Sequence, residues 1–132
     1  MKQQEKIKAT DAELEILNIL WTHGPCTVRQ VHDLLSQHKD AGYTTTLKQM
    51  QVMHEKRLLS REAQGKSHLY TAIPSRHMAQ GQIVQRVIDS IFNGSAMQLV
   101  MQALGNHKPS RKELDMIEEY LNQKKDDMTT SK

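Results

Sequence analysis

Residues 43–70 read YTTTLKQMQVMHEKRLLSREAQGKSHLY. The first half has helical spacing, the second half reads as extended chain around a glycine, and the run opens on three threonines. Leu47, Met50 and Met53, with Thr46, line one side of a helix expected from Thr45 to about Arg57. Thr45, Lys48, Gln49 and Val52 lie together on the opposite side. Threonine is a poor helix-interior residue but a good cap, so Thr44 is the expected N-cap. Residues 58–63 and 67–73 then read as two strands joined at Gln64-Gly65-Lys66, with Gly65 supplying the backbone freedom of the turn.

Upstream, Thr10-Asp-Ala-Glu13 is a capping box that opens a helix carrying Leu14, Ile16, Leu17, Ile19, Leu20 and Trp21. Gly24-Pro25 ends it. Thr27-Val-Arg-Gln30 is a second box. Its helix turns Val28, Val31, Leu34 and Leu35 inward, and Asp40-Ala-Gly42 reads as a turn. Three helices followed by a two-stranded hairpin, over residues 1–74, describe a winged helix-turn-helix.

Downstream, residues 75–125 carry helical patterns and no strands. A long helix presents Ile83, Val84, Val87, Ile88, Ile91 and Phe92, and stops at Asn93-Gly94. Ser95-Ala-Met-Gln98 opens a shorter helix with Leu99, Val100, Ala103 and Leu104, ended by Gly105. Ser110-Arg-Lys-Glu113 opens the last, with Leu114, Ile117 and Leu121. Residues 126–132 read as a frayed tail. The fold class is thus mainly α: a winged helix followed by a three-helix domain. Three short helices bury little alone, so their apolar faces are expected to pair with a second copy as a homodimer.

Composition agrees. The chain has 132 residues, 37% hydrophobic and only 4% aromatic, which is lean for one large core. Residues 1–42 hold five Lys/Arg and six Asp/Glu. Residues 43–74 hold five Lys/Arg (Lys48, Lys56, Arg57, Arg61, Lys66) against two Glu. Positive charge therefore gathers on the opening stretch, as a nucleic-acid footprint does. No signal peptide and no bilayer-length apolar run is readable, and the single Cys26 suits a reducing cytoplasm without membrane insertion.

The major groove of double-stranded DNA admits one α-helix. Thr44 and Thr45 suit its approach to phosphates. Lys48, Gln49 and Val52 suit base edges: Lys reaches guanine O6/N7, Gln pairs with adenine, and Val touches a thymine methyl. The wing residues Arg61, Lys66, Ser67 and His68 suit phosphate or minor-groove contact, as does Arg29 at the start of the second helix. Seven histidines form no H-E-x-x-H and there is no C-x-x-C, so no metal site or cofactor is expected. No nucleophile elbow is readable, so no enzyme is expected. The competing reading is a winged helix that binds protein rather than a DNA sequence.

TDAELEILNILW, TVRQVHDLL and the 43–70 stretch, continued by FNGSAMQLVMQAL and SRKELDMIEEYL, resemble the penicillinase-repressor family (BlaI-, MecI- and CopY-type repressors) over about residues 8–124. The resemblance implies a cytoplasmic, homodimeric transcriptional repressor of resistance or stress-response genes. Its winged helix would bind a palindromic operator and its C-terminal helices would dimerise. In the β-lactam branch a membrane sensor-protease pathway relieves repression by cutting an Asn-Phe bond, a position that falls at Gln102-Ala103 here. Two further departures are Val52, where many members carry Arg, and Arg57, where many carry Gly. The copper branch's C-terminal cysteine cluster is absent.

Overall fold

The structure is a computed structural model that describes residues 7–130. In chain order it forms α1 (Asp11–His23), α2 (Val28–Leu35), α3 (Tyr43–Glu55), β1 (Leu59–Gln64), β2 (Ser67–Ala72), α4 (Arg76–Ser90), α5 (Ala96–Asn106) and α6 (Arg111–Thr130). This is a winged helix-turn-helix followed by helices. By contacts the chain divides into two compact units, Met1–Gln85 and Arg86–Lys132. The division falls inside α4, beyond the Pro74 boundary expected from sequence.

The first half of α4 belongs to the winged-helix unit for visible reasons. Ala79 is fully buried in that unit's core. The Trp21 indole N–H donates to the Pro74 carbonyl at 2.8 Å. Arg76 donates to Asn18 Oδ1 and Thr22 Oγ1 at 3.1 and 2.8 Å. The backbone N–H of Ile7 donates to Gln82 Oε1 at 2.7 Å.

The core of this unit is built where the spacing placed it. Ile16, Leu17 and Leu20 of α1, Val31 and Leu35 of α2, and Met50 and Met53 of α3 close on Leu58, Leu59 and Tyr70. Both expected capping boxes form: Thr10 with Glu13 opens α1, and Thr27 with Gln30 opens α2. Between these helices the chain pairs with the wing. Cys26 and Tyr70 exchange both backbone hydrogen bonds, at 3.0 and 2.8 Å. Burial pushes the Cys26 thiol pKa up, which suits a packed side chain rather than a thiolate.

α3 begins two residues earlier than its threonines suggested. Gly42, not Thr44, is the N-cap, and no side chain caps this end. Thr46 is the reason one hydroxyl is tolerated inside: it is fully buried, and its Oγ1 donates to the Gly42 carbonyl at 3.2 Å. Thr44 and Thr45 lie in the first turn, exposed.

The exit from α3 is a Schellman turn. The Leu58 N–H donates to the Met53 carbonyl at 2.9 Å and the Arg57 N–H to the His54 carbonyl at 3.1 Å. Leu58 and Met53, both buried, supply the apolar contact that accompanies the motif. Arg57 holds the left-handed position, with φ 66°. The hairpin that follows pairs Leu59 with Ala72 through Gln64 with Ser67. Its loop is therefore Gly65-Lys66 alone, with Gly65 at φ 63°, the first-position glycine of a type II′ turn.

The second unit departs from expectation in detail. α4 ends at Ser90, and both Asn93 and Gly94 take positive φ, at 53° and 84°. Gly105 does not stop α5, which runs to Asn106 and is capped at His107. Ser95 accepts from the Gln98 N–H, and Ser110 forms a full box with Glu113. α6 continues through Thr130, into the stretch expected to be a frayed tail, with Lys124 Nζ 5.6 Å from the Tyr120 ring centre and Thr129 Oγ1 donating to the Lys125 carbonyl. Residues 131–132 lie outside the described part.

Glu13 ties the two ends of the first unit's helices together. It is buried, and its carboxylate accepts from the Thr10 N–H at 3.0 Å and from Lys56 Nζ at 2.7 Å. Burial pushes its pKa up, but the bonds from Lys56 and Thr10 outweigh that and hold it below 4.5. A carboxyl lowered on folding adds stability above its unfolded value and loses it as pH falls through the folded value. Glu13→Gln should therefore be less stable than wild type near neutrality, and the gap should close on acidification from about pH 6 to about pH 3, as read by urea unfolding at each pH. Arg57→Gly should raise stability by about 0.5–1 kcal/mol in the same measurement at neutral pH, because a side chain in the left-handed region is strained and glycine is not.

Candidate nucleic-acid interface

The inner side of α3 is consumed by the core, so its outer side is all that remains to meet a partner. Thr46, Met50 and Met53 are each 0% exposed, whereas Val52 is 41% exposed. Thr45, Lys48, Gln49 and Val52 line one surface depression of about 260 Å³. Its other wall is Thr10 and Glu13, at the start of α1. The four outward residues read from sequence are thus brought together. Thr10 and Glu13 are additional: their capping-box signature gave their local role but not this neighbour.

Lys48 and Gln49 have the reach and donors for base edges, and Val52 adds a methyl surface. Among the described residues Lys48 forms no ion pair. Glu13, the nearby carboxylate, is already engaged by Lys56. Thr44 stands exposed beside this group but does not line the depression.

The wing residues form a second cluster. On the strand pair, Arg61 faces Tyr70 and Ala63 faces His68. Arg61 Nη1 lies 3.4 Å from the Tyr70 hydroxyl, a long contact to a buried ring. The His68 ring meets the Tyr70 ring edge-on at 6.2 Å. Lys66 and Ser67 are exposed at the tip. None of these lines the α3 depression.

Arg29 is not simply solvated. Its guanidinium lies over the Tyr43 ring, 4.5 Å from the centroid. Tyr43 opens α3 and is 37% exposed, and the sequence reading passed over it. The signal available was an aromatic residue immediately before the threonine run.

Of the expected dimerisation residues, Ile88 is buried, and Ile83, Val87, Phe92, Leu99, Leu104 and Ile117 are partly so. Val84, Ile91, Val100, Leu114 and Leu121 are exposed at 43–70%. α5 buries no residue at all. Gln102 and Ala103 are exposed inside α5. Among the described residues no group of three His, Cys, Asp or Glu side chains is placed to hold a metal. No helix among them is long and apolar enough to cross a membrane.

The penicillinase repressor family matches residues 9–123. The transcriptional regulator BlaI of Mycobacterium tuberculosis, in two strains, is 31% identical over 87 residues. That match covers 64% of this chain and 63% of the relative, so it spans less than two thirds of the relative's length. Among solved structures, a mutant of Lactococcus lactis ZitR aligns with TM-score 0.46 and 15% identity, over 97% of this chain and 81% of that one.

Proposed function

The chain belongs to the penicillinase repressor family, and on that premise we propose that it is a transcriptional repressor that occupies operator DNA as a homodimer. The observation that carries this reading is the α3 flank. Thr45, Lys48, Gln49 and Val52 project as one group from a helix whose other side is locked in the core. Such a flank fits the major groove, with the wing tip at Lys66 and Ser67 on the adjoining backbone.

Two copies place two α3 helices in successive major grooves, about 34 Å apart. One unit carries too few cations to hold DNA tightly. Pairing makes the second contact effectively intramolecular and raises affinity without any new contact. The exposed apolar side chains of α4, α5 and α6 supply a surface for that pairing, with Ile91 at 70% and Leu121 at 53% exposed. Repression then follows from occupancy of a promoter, and separation of the dimer releases it. The family resemblance implies regulated genes of the resistance or stress-response class. Relief by cleavage at Gln102-Ala103 is not favoured, since the family's Asn-Phe pair is absent there.

Lys48→Ala or Gln49→Ala should cost about 1–3 kcal/mol of specific binding per half-site and relax preference at one base position in each, whereas Lys66→Ala should weaken all sequences and flatten the salt slope by about one per subunit. Fluorescence anisotropy on a selected fragment and its single-base variants reads both. Unchanged sequence ranking in the Lys48 and Gln49 variants would remove α3 from the reading role. Ile91→Glu with Leu121→Glu should give monomers by light scattering and weaken operator binding together. A persistent dimer would move the interface elsewhere.

A further inference from the structure

We propose that Tyr43 is a positioning residue that holds the Arg29 guanidinium in place as a phosphate clamp at the meeting point of α2 and α3. This rests on the DNA-binding reading above and adds a residue to it. Arg29 and His32 are three apart on α2 and therefore share a side of it. Both address the same ring. The Arg29 guanidinium lies over one face of Tyr43 at 4.5 Å, and the His32 ring meets Tyr43 edge-on at 5.6 Å and 79°. His32 Nδ1 is buried without a hydrogen-bond partner among the described residues, so packing against Tyr43 rather than a hydrogen bond at that atom sets the imidazole.

The arrangement restrains a cation without neutralising it. Among the described residues Arg29 has no carboxylate partner, so its N–H donors stay available. A free arginine at this point would lose rotamer freedom on binding, and a stacked one has already lost part of it. The anion it suits is a backbone phosphate, because the fork of N–H donors matches phosphate oxygens and lies at the entry of the helix whose next residues are the exposed Thr44 and Thr45. Tyr43 needs only its π-face for this, not its hydroxyl.

The test is a salt series of DNA binding, by anisotropy on one selected fragment, for wild type, Arg29→Ala, Tyr43→Phe, Tyr43→Leu and the Arg29→Ala/Tyr43→Leu double variant. Arg29→Ala should lower the log–log salt slope of the dimer by about 1.8, the signature of one lost phosphate contact in each subunit. Tyr43→Leu should weaken binding about two- to fivefold, and Tyr43→Phe should match wild type. The double variant should bind no worse than Arg29→Ala alone, since the ring then has no cation to position. Additive losses, or a Tyr43→Phe defect equal to that of Tyr43→Leu, would overturn the proposal while leaving DNA binding intact. Tyr43→Gln serves the same comparison if Tyr43→Leu does not fold. Wild-type binding without salt dependence would overturn the DNA-binding reading itself.

Discussion

Everything in the winged-helix unit depends on the seating of α3. Met50 and Met53 are wholly buried, and burial of such side chains is worth about 1.5–3 kcal/mol each. Rotating the helix by half a turn would expose them and bury Lys48, whose ammonium has no partner inside. No combination of surface contacts, at a few tenths of a kcal/mol each, could offset that. The rotation of α3 is therefore fixed by its inner side, and the outward group of Thr45, Lys48, Gln49 and Val52 is a consequence. Specific recognition needs side chains presented at one repeatable angle, and a packed core supplies that angle before any partner arrives.

The wing hangs from the same seat. The Schellman turn at Arg57 passes directly from Met53 to Leu58, so the residues that lock α3 also anchor β1. On the return strand Tyr70 is buried and exchanges backbone hydrogen bonds with Cys26, between α1 and α2. The hairpin is thus fastened at its base to all three helices, and its tip stays free. Arg57 shows the one local conflict: a left-handed turn occupied by a residue with a side chain. The strain, about 1 kcal/mol, is smaller than the burial of Leu58 and Leu59 that the turn makes possible.

Much of this was legible in the sequence. Three- and four-residue spacing gave the inner side of α3 correctly, because burial enforces that period. The capping boxes at Thr10, Thr27 and Ser110 were legible because each is a local, two-way hydrogen-bond exchange. The illegible parts were decided by neighbours distant in the chain. Thr44 looked like a cap because threonine caps well, yet Gly42 begins the helix once Thr46 is drawn inside. Gly105 looked like a stop, but helix interiors tolerate glycine at a cost of about 1 kcal/mol. Tyr43 could not be assigned, since its role comes from Arg29 and His32, on another helix. The Pro74 boundary missed the way Ala79 and Trp21 bind the start of α4 to the first unit.

The second unit leaves apolar side chains such as Ile91, Met97 and Met101 open, the kind of surface the proposed pairing would use. The proposed pairing matters for function only if the outer flank of α3 enters the major groove. Methylation interference at guanine N7 on fragments selected from random DNA tests this most directly, because N7 lies on the major-groove edge alone. The account predicts two clusters of interfering positions about one helical turn apart. Strong binding with no interference at any guanine N7 would contradict it.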